Sequence, residues 1–156
     1  MILAEKPEIE VRYQLTNNDD FSVNLNFGIE FNFGFPNLTS HNVNYTIDGE
    51  VPARFKRVHR VSSQDGVSDF GLQNGDDNFK LVFLLGKKST LWRMPIYSVS
   101  LSEDGFEKVQ QGTCIMPSWK LRLTPGESWE LQMKIRFREL DPKQAERVAK
   151  VSLSRI

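Results

Sequence analysis

The sequence is short of the residues that chemistry most often uses. Its 156 residues include one cysteine, Cys114, and two histidines, His41 and His59. A lone thiol cannot close an internal disulfide or build a multi-cysteine zinc site, and it suits a reducing compartment. The simplest role for Cys114 is that of a small buried hydrophobe. His41 and His59 fall outside any ligand spacing, so both read as loop or surface residues and no metal is expected. Net charge is missing as well. Twenty basic side chains balance twenty acidic ones, which leaves no field to gather nucleic acid or an anionic membrane. No apolar run approaches the ~18 residues of a membrane helix. The segment Met1 to Lys6 has neither the basic nor the hydrophobic region of a secretory leader, and a cytoplasmic location is expected. Without a leader, the sequons Asn37-Leu38-Thr39 and Asn44-Tyr45-Thr46 carry no information. No Gly-X-Ser-X-Gly elbow, phosphate loop or dinucleotide fingerprint occurs, and no cofactor follows. Repeats, low-complexity tracts and Pro/Ser linkers are also lacking, so residues 1–156 read as one domain.

What the chain does contain is alternation. From Phe21 to Phe35 every odd position is apolar and the positions between are polar or glycine, the period of a half-buried strand. Fifteen residues in one strand would run about 50 Å, so a bend near Gly28 or Gly34 is expected. The same period marks Ile9, Val11, Tyr13 and Leu15, and again Trp129, Leu131, Met133, Ile135 and Phe137. Phe79 to Leu85 is apolar at nearly every position, as in a central strand covered on both faces. Further strands are expected at Val43 to Ile47, Val51 to Val58, Ile96 to Leu101 and Trp119 to Leu123. Eleven phenylalanines supply the core.

Between these runs lie Asn17 to Asp20, Asp48-Gly49, Asn74 to Asn78, Asp104-Gly105 and Thr124 to Glu127, the residues that hairpin turns need. Parallel strands would require helical crossovers, and none is visible before residue 140. The fold class is therefore all-β and antiparallel, a sandwich. A short C-terminal helix is expected from Asp141 to Lys150, with Asp141 as N-cap, Pro142 at its first position and Gln144 closing the cap.

Each candidate for chemistry has a plain structural alternative. The oxygen-rich clusters Asn17 to Asp20 and Asn74 to Asn78 resemble calcium ligands but serve turns equally well. Arg54 to Arg60 reads as an exposed edge strand. Glu103, Asp104 and Glu107 form the only tight acidic group beside a strand, although Asp104-Gly105 looks like a turn and a lone acidic loop does not make a glycosidase pair. Trp119 shares its face with Leu121 and Leu123, and Trp129 with Leu131 and Met133, which places both in the core. Trp92 has no clean register and is the tryptophan freest to meet a ligand, with Arg93 beside it. Ser22, Asn24, Asn26, Glu30 and Asn32 make an amide-rich polar face suited to a groove or a domain contact. The candidate carbohydrate-binding or docking residues are thus Trp92, Arg93, Glu103, Glu107, Asn24, Asn26 and Asn32. In the structural alternative for Glu103 to Gln111, Phe106 plugs the core, Gly105 and Gly112 make turns, and Glu103 and Glu107 accept hydrogen bonds from loop backbone.

The run Leu91-Trp92-Arg93-Met94-Pro95-Ile96, followed by Ser102-Glu103-Asp104-Gly105-Phe106-Glu107 and Gln110-Gln111-Gly112, resembles the C-terminal domain of α-amylases and 4-α-glucanotransferases of glycoside hydrolase family 57. The likeness is strongest over residues 82–137. It implies a galactose-mutarotase-like β-sandwich that accompanies a (β/α)₇ catalytic barrel in enzymes acting on α-1,4-glucans by a retaining mechanism. The catalytic carboxylates of the family lie in that barrel, so the resemblance assigns no catalytic residue to this chain. It implies an accessory role, with the catalytic barrel as partner. The alternative is an autonomous carbohydrate-binding module for α-glucan oligosaccharides. A mutarotase-like acid/base pair has little support from two scattered histidines.

Overall fold

A computed structural model describes residues 7–34, 42–52, 60–102 and 105–140. Every regular element among them is a strand: β1 (Glu8–Thr16), β2 (Val23–Gly28), β3 (Phe31–Phe33), β4 (Val43–Ile47), β5 (Ser62–Asn74), β6 (Phe79–Ser102), β7 (Gly105–Leu123) and β8 (Ser128–Glu139). All pairings are antiparallel. The hydrogen-bonded order is β1-β8-β6-β5-β4, with β7 joined to β6 and carrying β2 and β3 on its other side.

Two layers arise because β6 is long enough to serve both. Its first part, Phe79 to Leu85, lies between β8 and β5; its later part, Thr90 to Ser102, pairs with β7. β5 makes the same passage, and its register against β6 breaks between Gln64 and Val67 and between Val67 and Asp69, the bends that bulges provide. Strand alternation then aims one face of each layer at the other. Phe31 of β3 meets Phe83 of β6 at 4.7 Å between ring centroids, and Phe70 of β5 stacks on Phe83 at 4.6 Å. Towards the β1 end, Phe27, Trp119 and Trp129 lie within 6.0 Å of one another, with Tyr13 5.7 Å from Phe27. Burying a ring such as Phe83 contributes about 2–3 kcal/mol, and each well-placed aromatic pair about 1 kcal/mol more.

Turn side chains are committed to backbone. Asn17 donates to the carbonyls of Phe21 and Leu123 and accepts from the Asp19 amide. Asn74 accepts from the amides of Asp76 and Asp77. Asp48 and Gly49, both at positive φ, close β4 against Glu50 as a two-residue turn. Both oxygen-rich clusters are therefore organised as turns.

The structure changes several sequence-based expectations. The predicted strand from Phe21 to Phe35 is two strands broken after Gly28; Phe21 lies outside both, exposed, and Phe35 lies outside the described residues. Ile96 to Leu101 is the end of a 24-residue strand. β5 was not anticipated at all. Phe106 is 83% exposed and plugs no core. Gly105, at φ 115°, is the first residue of β7, paired with Ser102, and Gly112 lies inside β7, where a Cβ would press on the Phe33 carbonyl oxygen at 2.7 Å. His41, His59, most of Val51 to Val58 and the helix expected at Asp141 to Lys150 fall outside the described residues.

Candidate functional site

Cross-strand pairing decides which candidate residues share a face. Asn24 pairs with Arg122, Asn26 with Lys120, and Asn32 with Cys114. Trp92 pairs with Met116 of β7 and with Ser63 of β5. Directly paired residues project to the same side of a sheet, and on β7 the positions 116, 118, 120 and 122 are more open than the buried 115, 117, 119 and 123, with Cys114 on the same side as 116 but covered. Asn24, Asn26, Asn32 and Trp92 therefore occupy one outward face, formed by β2, β3, β7 and the later part of β6. The indole is 41% exposed. Its Nε1 donates to Ser118 Oγ at 3.2 Å, Ser118 Oγ donates to the Thr90 carbonyl at 3.2 Å, and Thr90 Oγ1 donates to Asp65 Oδ1 at 2.6 Å. Asn32 donates to Glu30 Oε1 at 2.7 Å. A shallow depression on this face is lined by Asn24, Asn26, Lys120 and Arg122 with the flanks of Leu25 and Leu121. The indole with the Ser118 hydroxyl beside it can stack a sugar ring; the amides of Asn26 and Asn24 with Lys120 and Arg122 lie on the same face four and six residues further along β7, at about 13–20 Å by strand rise.

The other candidates do not join this face. Arg93 points inward and is 2% exposed. Its guanidinium lies 5.0 Å from the centre of the Tyr45 ring, and burial draws it below its ordinary value. Tyr45 bonds the Thr113 hydroxyl, and burial is the main cause that pushes its phenol up to about 12. Arg93 is thus an interior cation held over an aromatic ring and offers nothing to a surface ligand. Glu107 is exposed on the hairpin joining β6 to β7, paired with Ser100. Glu103 lies outside the described residues. Cys114 is 6% exposed and unpaired, a buried thiol as the composition suggested. Trp119 is buried and Trp129 packs against the core with it. Lys120, Arg122, Ser118 and Asp65 were missed by the sequence reading; each belongs to the site through its cross-strand neighbour, which sequence does not reveal. Among the described residues, no three His, Cys, Asp or Glu side chains converge as a metal site, and no helix is long and apolar enough to cross a membrane.

These layers define an antiparallel β-sandwich of the galactose-mutarotase-like kind. A "putative aldose 1-epimerase" from Escherichia coli K12 superposes on 85% of this chain and 57% of its own, with a TM-score of 0.63 at 10% identity. The Slr1438 protein of Synechocystis superposes with a TM-score of 0.56 over 85% of this chain and 51% of its own, also at 10% identity. The 4-alpha-glucanotransferase of Thermococcus litoralis gives 0.51 at 21% identity, over 84% of this chain and 16% of that one. A family model described as alpha-amylase/4-alpha-glucanotransferase, C-terminal, matches residues 1–133, and the chain belongs to that family. Alpha-amylase 1 of Dictyoglomus thermophilum is 28% identical over 137 residues, which make up 86% of this chain and 19% of that protein. The chain therefore spans about a fifth of the length of this curated relative.

Proposed function

We propose that the chain acts as a non-catalytic accessory domain that packs on and supports the catalytic barrel of an α-1,4-glucan-processing enzyme of the α-amylase or 4-α-glucanotransferase type. The carrying observation is the family match across residues 1–133 together with the small share, 19%, of the relative that the chain accounts for. On this reading bond cleavage or transfer is performed by carboxylates of the barrel, and the sandwich contributes stability and the shape of the substrate region. A cytoplasmic setting suits the unpaired Cys114. The test pairs this chain with Dictyoglomus alpha-amylase 1 lacking its own matched stretch and checked for a cooperative melt. Saturable association that raises the melting temperature of the truncated enzyme is the expected result; no association would reject the reading.

A second reading is favoured by the placement of Trp92, Asn24 and Asn26 along one outward face: direct binding of an extended α-glucan oligosaccharide there. Calorimetric titration with maltoheptaose, beside a non-glucan oligosaccharide, separates the two. Heat that saturates with the glucan alone and disappears in Trp92→Ala supports it, and a flat titration of the unsubstituted chain removes it.

A further inference from the structure

Among the described residues, the hairpin that ends β6 and begins β7 extends beyond the rest of the sheet. Pairing of β5 to β6 stops at Ser62 with Arg93, and pairing of β3 to β7 stops at Phe33 with Thr113. From Tyr97 opposite Gln110 to Ser102 opposite Gly105, six pairs form a ribbon of two strands with no third strand among the described residues. Isolated two-stranded ribbons are marginal in water and need an apolar layer on one face. This ribbon has such a face and leaves it bare. Tyr97, Val99 and Leu101 alternate with Ser98, Ser100 and Ser102, and their partners place Gln110, Lys108 and Phe106 on the same side. Exposure is 38% for Tyr97, 65% for Val99, 75% for Leu101 and 83% for Phe106. Lys108 Nζ sits 4.0 Å from the centre of the Tyr97 ring, which confirms that the two share a face.

On β6 the row follows the inward positions of the sandwich in alternation, across an irregularity in pairing where Ile96 meets Gly112 and Tyr97 meets Gln110. Along β6 the inward positions are Leu91 and Arg93, at 1% and 2% exposure, then Pro95, then Tyr97, Val99 and Leu101. The core-facing row thus runs past the edge of the opposite layer and keeps its apolar character after its cover has ended. Four large apolar side chains on one side of the ribbon, against Val109 alone on the other, mark a contact surface, since scattered exposed hydrophobes do not align this way.

We infer that this face docks onto an apolar surface of the catalytic portion of an α-amylase/4-α-glucanotransferase-type enzyme, and this rests on the accessory-domain reading above. The relative's length leaves about four-fifths of such an enzyme outside the matched region. A second copy of the chain is a poor occupant. Stable dimers bury on the order of 800 Å² and about 20–30 residues on each side, far more than one face of a six-pair ribbon. A contact this small suffices when linkage or a larger surrounding interface supplies a high effective concentration.

The test uses the 156-residue chain and truncated Dictyoglomus alpha-amylase 1. Leu101→Asp and Phe106→Asp are compared with Phe21→Asp, an exposed apolar residue away from the ribbon. None of the three removes core packing, and unchanged melting curves verify this. The expected outcome is at least tenfold weaker association for both ribbon variants and no change for Phe21→Asp. Equal binding by all three overturns the ribbon while leaving the accessory role intact. Absence of binding by the unsubstituted chain overturns both. A concentration-dependent dimer in sedimentation that Phe106→Asp abolishes assigns the face to a second copy and also overturns the inference.

Discussion

Glycine shows most directly how single positions carry the fold. A Cβ on Gly71 would strike the Leu81 carbonyl oxygen and crowd Thr46 Oγ1 at 2.7 Å, at the centre of the β4-β5-β6 sheet. Relief requires backbone movement, so Gly71→Ala should cost about 3 kcal/mol, and at ~3 °C per kcal/mol the melting temperature should fall by roughly 10 °C. Gly66 is the contrast. It has φ 76° at the bulge in β5 and open space around its Cβ, so Gly66→Ala pays only for the left-handed backbone, about 1–2 kcal/mol. Differential scanning calorimetry of the two variants checks the ranking, and a larger loss at Gly66 would contradict the close approach described for Gly71. Tyr45 makes a second prediction at this scale. Desolvation raises its phenol from 10.0 to about 12, partly offset by the Thr113 hydrogen bond. The folded state therefore holds this proton more tightly than the unfolded chain. Its contribution is complete below pH ~10 and is lost as pH rises through about 12. Ultraviolet titration to pH 11 should show the same tyrosinate absorbance in Tyr45→Phe as in the parent, as long as both remain folded; a smaller rise in the variant would mean that Tyr45 ionises earlier.

Among the strands, β1 is held at the sheet edge by charge as well as by backbone. Glu8 reaches Arg136 and Lys134, and Glu10 reaches Arg12 and Lys134. The hydrogen bond from Arg136 is the largest cause that lowers Glu8, and that from Arg12 the largest for Glu10. A lowered carboxyl stabilises the fold above its unfolded value near 4.5 and loses that contribution as pH falls through the folded value. Below pH ~4, amide exchange along β1 should accelerate ahead of that in β6, and Glu8→Gln with Glu10→Gln should flatten the dependence; uniform acceleration across both strands would count against it. Strands of this kind were legible in the sequence, because β1, β2, β3 and β8 each bury one face and write that burial as alternation. β5 was not, since Ser62-Ser63-Gln64-Asp65-Gly66 is polar and bends twice where it changes layers. The continuity of β6 was hidden by exposed Gly86-Lys87-Lys88 at its crossing, which interrupts the apolar pattern. Sequence also fails to say whose core an apolar residue serves, and the structural alternative that put Phe106 in this chain's own interior is replaced by an exposed position on the ribbon. The outward face of Asn24, Asn26 and Asn32 followed from period, whereas the placement of Trp92 with them and of Arg93 behind them required cross-strand register.

At the scale of the molecule, the passage of β5 and β6 through both layers determines how the fold comes apart. In a sandwich whose sheets share no strand, one layer can loosen while the other survives. Here the Phe70-Phe83 stack lies in the first layer, the Thr90 to Arg93 segment of the same β6 lies in the second, and Phe31 and Phe33 of the second layer press on Phe83. Opening either layer therefore pulls on a strand of the other and exposes the aromatic interior that both use. The two ends should melt together, as small cooperative units do. Tryptophan emission reports the Phe27-Trp119-Trp129 end, far-ultraviolet circular dichroism reports all strands, and the two urea transitions should superimpose. The ribbon, in its paired strands 97–102 and 105–110, is the exception, because among the described residues it lies beyond the shared core and exposes its apolar side chains. Its amides should exchange through local opening at urea concentrations well below the common midpoint, and should acquire the protection of the sheet when the chain is bound to the catalytic portion. Separated tryptophan and circular-dichroism transitions would show that the layers are independent and that β6 does not couple them.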